Sequence, residues 1–157
     1  FYLLFALPAS AQATQQEADR LKAVFETYTS ATPGVVTVTT VGAVYEVKLD
    51  PSPLLAAPHN GFQISLAPVT LALEPLGPGK WQVSSRSPLD LKVKLEPLLE
   101  ATWKASTYEL SGIYDESLMS FTEAKSAVSD MTLLQKMNGP EGPTEAAQRT
   151  GKASGVL

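Results

Sequence analysis

An α+β, mainly β architecture is predicted: one N-terminal amphipathic helix followed by a curved antiparallel β-meander. Three observations predict it. One strong helical stripe appears, within Thr14–Thr29, where apolar residues recur at three- and four-residue spacing. From Val35 onward the period changes to two. Turn-forming residues then separate the alternating runs at intervals of about 8–12 residues, the spacing of a meander.

The chain opens with an apolar run, Phe1–Ala9, that ends in Ala11-Gln12-Ala13. Small residues at the first and third places before a cut suit signal peptidase, whose pockets exclude larger side chains. Residues 1–13 are therefore read as an N-terminally truncated signal peptide. The run is too short to cross a bilayer, which takes about 20 residues. The expected location is periplasmic or secreted, with no transmembrane span after cleavage.

Thr14-Gln15-Gln16-Glu17 reads as a capping box. Ala18, Leu21, Phe25 and Tyr28 form the apolar stripe, and Asp19, Arg20, Lys22 and Glu26 lie off it. The helix is expected over 15–29, ending before Pro33-Gly34. Val35–Thr40 is β-branched throughout and favours a pleated surface. A tight hairpin at Val41-Gly42 leads into Tyr45–Leu49, where apolar and charged residues alternate strictly. Asp50-Pro51-Ser52-Pro53 ends that strand, because proline cannot donate to a ladder. Leu54–Asn60 is a connection.

Phe62, Ile64 and Leu66 alternate with polar residues, and Pro68 separates them from Val69, Leu71 and Leu73. Gly77-Pro78-Gly79 is a loop, after which Trp81-Gln82-Val83 opens a strand. Leu89, Leu91, Val93 and Leu95 alternate with Asp90, Lys92, Lys94 and Glu96, the cleanest strand pattern in the chain. A longer strand is expected over Trp103–Tyr114, a turn at Asp115-Glu116-Ser117, and further strands near Leu118–Lys125 and Met131–Gln135. From Asn138 hydrophobic mass falls away, so 138–157 reads as a flexible tail or linker with a short helical turn at Thr144–Arg149. The domain proper is 14–137.

Composition bounds the function. Hydrophobic residues make up 44% of 157, enough for a core. The net charge is −4 and no basic block occurs, which sets nucleic-acid binding aside. With no cysteine, thiol catalysis, zinc–thiolate sites and iron–sulfur clusters are excluded. His59 is the single histidine and stands in the turn text Pro58-His59-Asn60-Gly61, which reads as a solvated loop. Asp50 and Asp115 read as turn residues that bond their own backbone two positions on. A carboxylate pair for hydrolysis would need two acids to converge in one cleft. Lys92 and Lys94 share a strand face with Asp90 and Glu96, the pattern of a solvated sheet surface. No cofactor or metal is expected.

The helix, at 1.5 Å per residue, spans about 22 Å and does not cover a sheet of about seven to nine strands. The sheet must fold over, close, or bury its remaining face in a ligand or partner. The expected role is non-enzymatic: binding a lipid or other apolar ligand, or an envelope protein, on a concave sheet. Tyr45, Val47, Phe62, Ile64, Leu66, Leu91, Val93 and Leu95 are the expected lining. The alternatives are a structural or assembly module forming half of a longer periplasmic protein, and a carboxylate-based hydrolase.

Gln15–Tyr28, Thr32–Val38 and Val44–Asp50, with Gly112–Phe121, form a layout that resembles uncharacterised bacterial periplasmic proteins. That family is known as a domain of unknown function, with long antiparallel strands after one N-terminal helix. The likeness covers about Gln15 to Met137. The family's members are longer, and the resemblance implies no activity, cofactor or catalytic residue. More distantly the layout is similar to β-groove envelope proteins of the LolA and AsmA types, an analogy of fold alone.

Overall fold

A computed structural model of the chain describes residues 12–56 and 61–156. The fold is a helix, α1 (Gln15–Tyr28), followed by an open eight-stranded antiparallel sheet. The strands are β1 (Val36–Val41), β2 (Val44–Leu49), β3 (Phe62–Leu66), β4 (Val69–Gly77), β5 (Lys80–Leu95), β6 (Leu99–Asp115), β7 (Ser120–Gly139) and β8 (Gly142–Val156). One helical turn, α2 (Ser52–Leu55), joins β2 to β3 and contacts β3. The strand order is β1-β2-β4-β5-β6-β7-β8, with β3 pairing the far end of β5 beyond β4. The meander and its helix are as the sequence predicts. The expected signal peptide falls outside the described residues, except for Gln12 and Ala13, and His59 falls outside them as well.

Thr14 caps α1, its hydroxyl accepting from the Glu17 N–H at 3.2 Å. The box is only half formed. The Thr14 N–H donates to the Tyr45 hydroxyl at 3.0 Å, while the Glu17 carboxylate turns to Arg20. The β1–β2 hairpin turns on Gly42-Ala43, with Val41 paired to Val44. Gly42 has φ +64, the left-handed geometry that glycine adopts without strain.

The core lies under α1. Ala18 and Leu21 cluster with Val36 and Val38 of β1, Tyr45 and Val47 of β2, Leu73 of β4, and Trp81 and Val83 of β5. Register places the sheet members of this group on one face: Val38 opposite Val47, Tyr45 opposite Leu73, and Leu73 opposite Val83. The core therefore belongs to the half of the sheet near the β4–β5 turn.

Three expectations need correction. Trp81–Val83 and Leu89–Leu95 belong to one strand, β5; at its middle the register shifts, so that Ser106 and Thr107 stand against Pro88. Leu118–Lys125 and Met131–Gln135 likewise merge into β7, through Asp130 at φ 51. The irregularity crosses β6, β7 and β8 together, where the ladder skips Ser106, Asp130 and Gly151. A local departure of this kind bends a strand without ending it. Finally, the segment expected as a flexible tail from Asn138 carries the end of β7 and all of β8, and Thr144–Arg149 is strand, not helix. The exposed edge of β7 supplies the missing stabilisation. Its backbone groups pair with β8 from Lys125–Val156 to Gly139–Gly142, with no need for apolar side chains.

Candidate functional site

Where α1 leaves the sheet, an apolar cleft of about 390 Å³ opens between them. The helix contributes Leu21, Val24, Phe25 and Tyr28. They lie on one side because residues three and four apart share a helix face. The floor is Leu49, Leu71, Leu73, Trp81, Val83 and Leu110, drawn from four strands. Tyr114, Met119 and Phe121 close the side at the β6–β7 turn, with the rings of Tyr114 and Phe121 edge to face at 5.5 Å.

Among the described residues one charged side chain, Glu116, lines this cleft. Its Oε1 accepts from the Trp81 indole N–H at 2.6 Å and from Arg20 Nη2 at 2.7 Å, and its Oε2 accepts from Arg20 Nη1 at 3.0 Å. Arg20 is also bound by Glu17, with Nη2 donating to Oε1 at 2.6 Å. This cluster ties α1 to the β6–β7 turn. Hydrogen bonds from Arg20 hold the Glu116 carboxyl below its usual 4.5, against the opposing effect of burial, and the Trp81 indole adds to the lowering. The two carboxylates push the Arg20 guanidinium up. Burial pushes the Tyr114 phenol up, and Tyr28 and Glu116 beside it add to the shift.

The eight expected lining residues divide into two groups. Tyr45 and Val47 are core: Val47 is fully buried, and Tyr45 stacks edge-on against Trp81 at 5.7 Å. They meet protein, because α1 lies directly over them. The other six sit together in the far half of the sheet. Phe62 stands opposite Leu95, Ile64 opposite Val93, and Leu66 opposite Leu91. Register continues this face through Trp103, which stands opposite Leu91, to Leu133. Apart from Phe62, which is exposed, these side chains are half-buried. Sequence reasoning missed the cleft wall formed by Val24, Tyr28, Leu110 and Met119. The helical stripe was a signal for part of it, because Phe25 and Tyr28 extend beyond the residues that the core absorbs.

Asp50 accepts from the Ser52 N–H at 3.0 Å and Asp115 from the Ser117 N–H at 2.9 Å, both as turn residues. Asp115 pairs with Lys80, and Asp90 lies farther along β5, about 33 Å away at the usual strand rise. Lys94 is bound to Glu96 and Lys104 to Asp90. Among the described residues no group of three or more His, Cys, Asp or Glu side chains is placed to hold a metal ion. No described helix is long and apolar enough to cross a membrane. Neither a family model, nor a curated protein, nor a solved structure matches the chain.

Proposed function

We propose that the protein is a non-enzymatic, exported binding protein of the bacterial envelope. It holds a lipid or other apolar molecule in the cleft between α1 and the sheet. One observation carries this reading: a concave space of about 390 Å³ walled almost wholly by aliphatic and aromatic side chains. That volume falls within the range of small-molecule sites, about 300–1,000 Å³. The small-residue motif Ala11-Gln12-Ala13 after an apolar run supports export.

A neutral phenylnaphthylamine probe, dark in water and bright in apolar surroundings, tests it. The protein should brighten the probe. Leu110→Trp, which fills the cleft floor, should weaken binding by about tenfold or more while melting near the parent temperature. A chain that never brightens the probe, or a filled cleft that binds it equally well, overturns the reading.

A second reading, an assembly module of a longer periplasmic protein, is favoured by the long exposed strand β8 and the half-exposed apolar face around Phe62. In that case β8 pairs with further strands. Amide exchange at β8 would then slow in a longer form of the chain and stay fast in this one.

A further inference from the structure

We propose that the α1 cleft takes a single-chain lipid with an uncharged head group and discriminates against the same chain ending in a carboxylate. This rests on the cleft reading above and names its ligand class. Among the described residues the lining contains no cation. Its one charged member is Glu116, and the cation nearest to it, Arg20, is shared with a second carboxylate, Glu17. The three groups together carry one net negative charge at neutral pH. An anionic head brought to the cleft therefore meets a like charge beside low-dielectric walls, where such repulsion is weakly screened.

A cationic head gains little there, because Glu116 already accepts three hydrogen bonds, from Arg20 and Trp81. Among the described residues the uncharged polar side chains of the lining are the Tyr28 and Tyr114 phenols, the Trp81 indole, which donates to Glu116, and the Thr29 hydroxyl, which donates to the Phe25 carbonyl. Tyr28 is 57% exposed, so this lining residue is reached by solvent. Phenols and hydroxyls both donate and accept, which suits the hydroxyl or ester of an uncharged head.

Displacement of the neutral probe by monolauroylglycerol and by laurate, which share one acyl chain, tests this at pH 7.5. The uncharged lipid should displace the probe at about one-tenth the concentration of laurate or less. Two variants then move this ratio in opposite directions. Glu116→Gln keeps an acceptor for Trp81 but removes the charge, and should bring the two ligands to within about threefold of each other. Arg20→Gln leaves two unbalanced carboxylates and should widen the gap. Thermal melts show that each variant is folded, and either one suffices if the other is not. Laurate binding the parent as well as the uncharged lipid, or a ratio unmoved in the folded variants, overturns the inference while the cleft reading stands. Failure of every ligand, probe included, overturns both.

Discussion

At the residue scale, two side-chain positions carry consequences that solution measurements can check. The first is Glu116. Its pKa is depressed in the folded state, so the unfolded chain takes up the proton more readily. The resulting stability is complete above the ordinary value of 4.5 and is lost as pH falls through the lower folded value. Glu116→Gln should therefore melt below the parent at pH 7, and the gap should shrink toward pH 3. A gap that stays constant across that range would show that the carboxylate's charge does not stabilise the fold. The second is Gly112 in β6. A Cβ there would lie 2.3 Å from the Glu123 carbonyl oxygen and 3.1 Å from the Ala124 Cα, both backbone atoms with no room to yield. Gly112→Ala should cost about 1–3 kcal/mol in chemical denaturation; an unchanged midpoint would mean that the β6–β7 pairing is looser than it looks. Turn chemistry at this scale was readable in the sequence. Asp50 and Asp115 both bond the backbone two residues on, because that reach is local. The fate of Glu17 was not readable. Its competitor for the capping role, the Tyr45 hydroxyl, comes from a strand 31 residues away.

At the element scale, the helix and the strand periods were legible because each is a local steric preference. Strand length was not. Pro88 and Asp130 lie between runs that read as separate strands, yet β5 and β7 run through them, since a ladder with pairing on both sides of an irregularity keeps most of its hydrogen bonds. The same logic hid β8, whose Ala, Gly, Ser and Thr content carries no apolar pattern. The largest side chain that α1 buries fully is Leu21, 2% exposed among Val36, Val47 and their neighbours. Leu21→Ala should cost about 2–5 kcal/mol, the range for a buried leucine that leaves a cavity. Leu98, in the β5–β6 turn and more than half exposed, is the matched control. Leu98→Ala should change stability by less than about 0.5 kcal/mol. Equal losses at the two sites would show that α1 is not seated on the sheet as described.

At the scale of the whole molecule, the decisive feature is that one helix serves a sheet longer than itself. The sequence announced this mismatch, and the eight candidate lining residues followed from it. Which of them the helix would cover was not legible, because that depends on where α1 lies along the sheet, a matter of long-range packing. The result is a gradient. Val47, Leu73, Trp81 and Val83 are buried, the far-half pairs such as Ile64 and Val93 are half-buried, and β8 has no buried side chain. Local opening free energy follows buried apolar contact, so the gradient should appear in amide exchange. Amides of β2 and of the first half of β5 should exchange near the global unfolding limit. Those of β8 that bond to β7 should exchange far faster, although they sit in a ladder of comparable geometry. An apolar ligand in the α1 cleft should slow exchange in α1 and the first half of β5 and leave β8 unchanged, since the cleft lining includes no residue of β8. Protection of β8 equal to that of β2 in the free chain would mean that the edge strand draws stability from contacts other than the ladder, and the near-half core would no longer account for the fold.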